Sequence, residues 1–301
     1  MKKAIACVLT LALLLSFAAC GAGGGKDEPK PLAQDTDCMA LHFDAPEGYA
    51  SVARFVRQTA DGGVAEKNII YSFDDGRELT YAYAAKVDIA EQMKTEDLES
   101  GEFAGQTFFF YPDGDDYMSF AQVGEDVYGV QYTLPDSETR EPLEQVLGQI
   151  SFTDKTETDI NDKDLYDVSY TIDPELPLAG WETNLTEATD GTVTKKSVTW
   201  DFGESADDLD FRFVIRVHKN TTIDQIIKAD KEYEEKTIGE LTYTVLKADE
   251  GKAPYEYFTQ HGDDVYQIRN NGASNGWFVS RSEESEAAFE AFVNSVSFQT
   301  K

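Results

Sequence analysis

Gly124-Glu125-Asp126-Val127-Tyr128 is the stretch that decides the fold, because it is written a second time, 138 positions later, as Gly262-Asp263-Asp264-Val265-Tyr266. Glycine and aspartate tolerate the backbone of a tight turn, whereas valine and tyrosine favour strands. The stretch therefore predicts a hairpin whose second strand begins at the valine. Its recurrence predicts that the chain contains two related units.

The residues that recur around the two copies are almost all apolar, aromatic or glycine, which are the classes that build cores and turns. The charged loops differ between the copies, which indicates two copies of a scaffold rather than of one active site. The matched sets are Gly48-Tyr49 with Gly180-Trp181, Tyr71 with Trp200, Phe73 with Phe202, and Leu79, Tyr81 and Tyr83 with Leu209, Phe211 and Phe213; Tyr117, Phe120 and Gln122 with Tyr255, Phe258 and Gln260; and Leu143, Val146, Leu147, Ile150 and Phe152 with Phe289, Phe292, Val293, Val296 and Phe298.

Alternating apolar residues separated by Gly, Pro and Asp turn signals predict antiparallel strands in each unit. A short helix is predicted over 89–98, and the spacing of Leu143, Val146, Leu147 and Ile150 predicts a closing amphipathic helix. We therefore predict an α+β fold made of two tandem homologous domains, each an antiparallel meander sheet with about two helices.

The N-terminus has the pattern of an exported, lipid-modified protein. Lys2 and Lys3 precede an apolar run over 4–19, which is shorter than the approximately 20 residues that span a bilayer. Ala18 and Ala19 then precede Cys20 and Gly21. This leader resembles that of bacterial lipoproteins, and the resemblance implies that Cys20 is diacylated and becomes the mature N-terminus. Phe17 departs from the usual leucine of the motif.

These patterns predict a signal peptide over 1–19, a lipidated flexible tether over 20–37, a first repeat over 38–153, a linker over 154–167 and a second repeat over 168–301. An ordinary secreted protein cleaved near Ala19 and an uncleaved membrane helix are the alternatives for the leader. The pattern of each repeat resembles the antiparallel α/β sandwich of Mog1/PsbP-like domains and of uncharacterised Gram-positive surface lipoproteins. This second resemblance carries no functional residues across.

Composition excludes one class of partner. The formal net charge is -31, with 57 acidic against 26 basic residues, whereas nucleic-acid binding needs clustered Lys and Arg. We therefore predict no nucleic-acid partner. Most of the acidic residues are interpreted as a solvated surface, and cationic ligands such as Ca²⁺ stay an alternative.

No stretch carries a recognisable catalytic or cofactor motif, so no catalytic residues, cofactors or metal ligands are predicted. His42, His218 and His261 occupy unrelated places in the two repeats. Two acidic loops, over 113–116 and 159–164, depart from the calcium-loop pattern and are interpreted as a turn and a linker. Cys38 is interpreted as a small apolar residue of the first strand. Tyr128 and Tyr266 are interpreted as strand residues, with an exposed binding role as the alternative.

Three functions follow as hypotheses. The first is a non-catalytic lipoprotein on the extracytoplasmic face of the cell membrane, which acts as an envelope interaction module with an unknown protein or glycan partner. The second is a small-ligand-binding or cation-binding lipoprotein with a site between the repeats. The third, which the missing motifs disfavour, is an envelope hydrolase. Cys20 is the one modified residue predicted.

Overall fold

The structure is a computed structural model. It describes residues 32–92, 94–113, 116–133, 139–155, 165–205, 208–247, 255–271, 273–274, 279–280 and 282–298. The predicted signal peptide and Cys20 lie outside the described residues, as does most of the predicted tether. We call residues 32–155 the first half and residues 165–298 the second half.

In the first half, two 3-10 turns and two helices accompany ten described strands. The turns are Leu32–Gln34 and Thr95–Asp97, the helices are α1 (Ile89–Gln92) and α2 (Glu141–Leu147), and the strands are β1 (Asp37–Cys38), β2 (Leu41–His42), β3 (Ser51–Thr59), β4 (Val64–Ser72), β5 (Glu78–Ala84), β6 (Glu99–Phe103), β7 (Gln106–Asp113), β8 (Asp116–Val123), β9 (Asp126–Thr133) and β10 (Ser151–Phe152).

The second half has two described helices and eleven described strands. The helices are α3 (Ile223–Ile226) and α4 (Glu283–Ser295), and the strands are β11 (Val168–Ser169), β12 (Leu178–Ala188), β13 (Val193–Ser205), β14 (Asp208–His218), β15 (Tyr233–Ile238), β16 (Leu241–Leu246), β17 (Glu256–His261), β18 (Asp264–Asn270), β19 (Ala273–Ser274), β20 (Val279–Ser280) and β21 (Ser297–Phe298).

The predicted α+β fold with a separate sheet in each repeat is wrong. The protein is mostly β, and one 14-stranded antiparallel sheet runs through both halves in the order β15-β16-β17-β18-β14-β13-β12-β3-β4-β5-β9-β8-β7-β6. The physical reason is that β3 and β12 are each the edge of their own meander. An edge strand exposes unpaired N–H and C=O groups, and the pairing of β3 with β12 satisfies both edges at once.

The expected helices are also shorter than predicted. In the segment 89–98 the helix stops at Gln92, because Lys94 is extended at φ -81° and ψ 92°, and a 3-10 turn then leads into β6. Strand β6 was not predicted. Within the described residues only α4, at 13 residues, is longer than two turns, so the helices add little to a structure that is built from strands.

The two halves have the same strand connectivity, and the pairing of β3 with β12 relates them by an approximate two-fold axis. A displacement of 129 positions carries Tyr71 of β4 onto Trp200 of β13, and it also carries Phe55 onto Asn184. Phe55 and Asn184 are direct partners at the centre of the sheet. The axis therefore passes beside this pair. Descent from one copied unit stays a prediction.

The ladder register corrects two of the sequence matches. Leu79 lies opposite Tyr71, and Phe213 lies opposite Trp200, so Phe213 rather than Leu209 takes the place of Leu79. In the same way, Trp181 lies opposite Trp200, as Val52 lies opposite Tyr71. Trp181 therefore takes the place of Val52 rather than that of Tyr49. Each sequence match used an apolar residue that lies a few positions away from the structural equivalent.

The two predicted hairpins are confirmed. Val123 pairs with Asp126 and His261 with Asp264, which leaves two-residue turns that begin at Gly124 (φ 66°) and Gly262 (φ 61°). A left-handed backbone at the first turn position is one that glycine adopts without the steric cost of a Cβ.

Two buried clusters lie on one side of the sheet, which we call the core face. In the first half Tyr71, Tyr81 and Tyr128 pack with α2, and in the second half Trp200 and Phe213 pack with α4. Leu79, Tyr81 and Tyr83, which alternate along β5, are thus core residues, as predicted. Residues that directly face each other across antiparallel strands share a side, so the other side of the sheet can be read from the register. We call that side the polar face.

The last residues of the predicted tether, 32–37, lie on the core face where the halves meet. Leu32 is buried, and its backbone N–H donates to a carboxylate oxygen of Glu187 over 2.6 Å. Asp35 accepts from Arg54 and from the fully buried Lys67. This segment therefore contacts strands of both halves.

Candidate functional site

At the centre of the polar face, charged side chains of both halves form a saturated network. The carboxylate of Asp201, which is 1% exposed, accepts from Arg57 at 3.0 Å and from Arg212 at 2.5 Å. Arg212 also donates to Glu182 at 2.8 Å, and Arg57 lies 3.5 Å from Glu66. Every carboxylate in this network has a guanidinium partner, which is what burial of a charge requires. We call it the central network.

Further along the polar face of the second half, cations outnumber carboxylates. Neighbouring strands β13, β14 and β18 contribute the cations, and β17 contributes one carboxylate. We call this group the basic cluster; its members are Lys195, Arg216, His218, Glu256, Gln267 and Arg269.

Gln267 and Glu256 connect part of the basic cluster. The Gln267 side-chain oxygen accepts from Arg216 at 3.2 Å and lies 3.4 Å from His218 Nε2, while its amide nitrogen donates to Glu256 at 2.5 Å. Glu256 also lies 3.2 Å from Arg269 Nε. The Glu256 carboxylate thus contacts Arg269 directly and Arg216 through the Gln267 side chain. With one carboxylate for these cations, the cluster keeps an excess of positive charge.

Three nitrogens of the basic cluster make no hydrogen bond within the described residues, and one of them, Arg269 Nε, has only its ion pair with Glu256. Among the described residues, Lys195 Nζ has no hydrogen-bond or ion-pair partner, although the side chain is half-buried. The Nε atoms of Arg216 and Arg269 are buried without a hydrogen bond. Most buried polar groups in proteins are hydrogen-bonded, so unpaired donors need an explanation.

Burial and the neighbouring cations lower the pKa values of three groups in the basic cluster. Burial, together with the charge of Arg216, lowers the pKa of Lys195 to about 8. Burial and the charge of Arg216 lower the pKa of His218 to about 4, despite the contact of its Nε2 with the acceptor oxygen of Gln267. Burial and the neighbouring Arg269 also lower the pKa of Arg216. At neutral pH His218 is therefore neutral, and an added anion would relieve repulsion among the remaining cations.

The equivalent surface of the first half has a different chemistry. In the ladder register Ala82 takes the place of Arg216, Gly129 that of Gln267 and Gln131 that of Arg269. Ala82 packs there with Ile89 of α1 in a small apolar cluster that includes Met118, Phe120 and Val127. The described part of α3 buries no residue. The first half thus closes this surface with apolar contacts, whereas the second half fills it with charged groups.

The three histidines lie apart. His42 Nδ1 is 2.7 Å from Asp37 Oδ1, and Ser151 lies opposite His42 on the next strand, but among the described residues no hydroxyl or thiol hydrogen-bonds to the ring. His261 stacks on Phe298 with ring centroids 4.3 Å apart. His218 alone lies in the basic cluster. The described residues therefore place a carboxylate beside His42 and no hydroxyl or thiol in hydrogen-bond contact with any of the three rings.

The other residues singled out in the sequence are placed as follows. Tyr128 and Tyr266 are each 1% exposed, so the alternative that they form an exposed binding surface is wrong. Cys38 is fully buried, and burial raises the pKa of its thiol to about 12, which fits the predicted apolar role. Cys20 and the acidic loop over 159–164 lie outside the described residues, as does the middle of the loop over 113–116.

Within the described ranges, no group of three or more His, Cys, Asp or Glu side chains is placed to hold a metal ion. The helices of the same ranges include none with the length and hydropathy needed to cross a bilayer.

The basic cluster was missed in the sequence, although a signal for it exists. In strand β14 the charged or polar residues Arg212, Arg216 and His218 alternate with apolar residues, and Val214 is the one interruption of this pattern. Such alternation indicates a strand with one core side and one polar side. Because the neighbouring strands could not be aligned, nothing in the sequence showed that Lys195 and Arg269 share that side.

Comparison with known proteins gives little further information. No family model matches the chain, and no curated protein matches it. A solved structure with a detectable likeness is the crystal structure of MucB in complex with MucA(peri), at 8% identity and a TM-score of 0.20, over 84% of this chain and 94% of that chain. A likeness at this level carries no argument about fold or function.

Proposed function

We propose that this protein is a non-catalytic binding protein, anchored to the extracytoplasmic face of a cell membrane by lipid on Cys20, and that its ligand is a component of the cell envelope. One structural observation carries the binding role: on the polar face of the second half, the half-buried cations Lys195 and Arg216 have no carboxylate within ion-pair distance among the described residues. The leader sequence supports the anchor, because its resemblance to lipoprotein leaders implies a diacylated Cys20. Two acyl chains give the stable attachment to a membrane that one chain does not.

The hypothesis of a cation site between the repeats is not favoured by the seam between β3 and β12. There the carboxylates of Asp201, Glu182 and Glu66 are already paired with Arg57 and Arg212. A cation would have to displace a guanidinium from a buried carboxylate, which would leave an uncompensated buried charge. One buried acceptor on the polar face of the seam, Asn184 Oδ1, has no hydrogen bond, but a single neutral amide oxygen does not supply the several oxygen ligands that a cation such as Ca²⁺ needs.

The anchor is tested by labelling cells with palmitate. We expect the full chain to take up label and a Cys20→Ala variant to lose it, whereas Cys7→Ala, a matched change within the same leader, keeps it. External protease should degrade the labelled protein on intact cells. Label that persists in the Cys20→Ala variant, or protein that is protected from protease, would contradict the anchor and its orientation.

The binding role is tested by cosedimentation of the purified chain with isolated, lipid-extracted envelope material. We expect saturable binding, since a specific site is finite. Absence of saturable binding would contradict the proposed function, whatever the outcome of the labelling.

A further inference from the structure

The excess positive charge of the basic cluster is unusual for this chain. The protein has a formal net charge of -31, and a surface of that sign repels anions. Lys195, Arg216 and Arg269 nevertheless lie together, and among the described residues Glu256 is the one carboxylate within ion-pair distance of them. Like charges on adjoining strands destabilise a sheet, so the folded state alone does not explain why they lie together.

The register places the three cations in a diagonal line. Lys195 on β13 lies opposite His218, two residues along β14 from Arg216, and Arg216 lies opposite Gln267, two residues along β18 from Arg269. Each diagonal step joins neighbouring strands with a spacing of about 7 Å. A line of this kind presents separate donors to a ligand with more than one anionic group.

The donors suit phosphate and carboxylate oxygens. A guanidinium offers a planar fork of N–H groups, and an ammonium adds a point charge. The guanidinium groups of Arg216 and Arg269 supply two such forks, and Lys195 Nζ, which has no hydrogen-bond or ion-pair partner among the described residues, supplies the ammonium. The half-buried setting strengthens each charged hydrogen bond relative to one in water.

The geometry points to a binding site for a multivalent anion, one that carries at least two phosphate or carboxylate groups, at Lys195, Arg216 and Arg269. This inference rests on the proposed binding function and names the ligand class for it. Glu256 and Gln267 act as positioning residues, because they hold the two guanidinium groups against β17 and β18.

The test uses the full chain purified in detergent and measures its melting temperature and its affinity by calorimetry, with pyrophosphate and citrate as separate probes at constant ionic strength. We expect one or both to raise the melting temperature of the wild type, because ligand bound to the folded state stabilises it. The probe with the larger effect identifies the anionic group. No rise with either probe would overturn the inference.

A Lys195→Gln variant separates function from folding. Because Lys195 has no partner in the described part of the chain, its removal should leave the melting temperature of the free protein unchanged or higher, while affinity for the effective probe falls at least about tenfold. Arg77→Gln, which alters an exposed ion pair elsewhere, is the matched control and should bind within about twofold of wild type. Equal affinity in the Lys195→Gln variant and wild type would place the anion elsewhere and overturn the assignment. If the wild type bound the probe but showed no saturable binding to envelope material, that result would instead count against the proposed function.

Discussion

An Asp201→Ala variant is expected to lose about 3 kcal/mol of unfolding free energy, because it removes the buried carboxylate between two guanidinium groups. Arg57 comes from the first half and Arg212 from the second, so one carboxylate joins the two halves across the seam. Without it Arg57 keeps its contact with Glu66 and Arg212 its contact with Glu182, and part of their charge is left uncompensated in a poorly hydrated place. Urea unfolding monitored by circular dichroism measures the loss.

The matched control is Asp75→Ala, which breaks an exposed pair with Arg77. Surface pairs contribute about 0 to 1 kcal/mol, so this variant should unfold close to wild type. If Asp201→Ala and Asp75→Ala had the same small effect, the central network would not stabilise the protein.

The second large effect is expected at Gly180, where a side chain added to β12 would meet the backbone of β3. A Cβ at this position would lie well inside van der Waals contact with the backbone carbonyl oxygen of Gln58. A backbone group cannot move aside as a side chain can, so Gly180→Val must separate the strands at the end of the seam. Overpacking of this kind should cost about 3 kcal/mol.

Gly129→Ala is the matched change for this prediction. It also adds a Cβ to a strand glycine, but its nearest neighbour is a ring carbon of Phe120 at 3.4 Å, an ordinary contact. Urea midpoints of the two variants are compared. A Gly180→Val variant as stable as Gly129→Ala would show that β3 and β12 do not approach as described.

Much of the local structure could be predicted because it depends on neighbouring residues. The turns at Gly124 and Gly262, the strands that flank them and the buried row that begins at Leu79 all follow from turn chemistry and two-residue alternation. These signals do not need knowledge of which strands meet.

The rest depended on register and pairing, which a single sequence does not fix. Phe213 and Leu209 are four residues apart in the sequence, a shift that preserves strand alternation, so the pattern could not choose between them as the equivalent of Leu79. The pairing of β3 with β12 has no local signal at all. The basic cluster depends on both, since its cations come from three strands.

The central claim is that both halves share one sheet, and cross-linking at its centre tests this claim most directly. The test starts from a full chain with Cys7→Ala and Cys20→Ala, in which the buried Cys38 stays protected. Adding Phe55→Cys and Asn184→Cys places two thiols on directly opposed residues. Phe55→Cys with Ala188→Cys places the second thiol about 13 Å further along the same strand. We predict that mild oxidation gives an intramolecular disulfide between 55 and 184 and not between 55 and 188. Failure of the first pair to cross-link, or equal yields from both pairs, would contradict the continuous sheet.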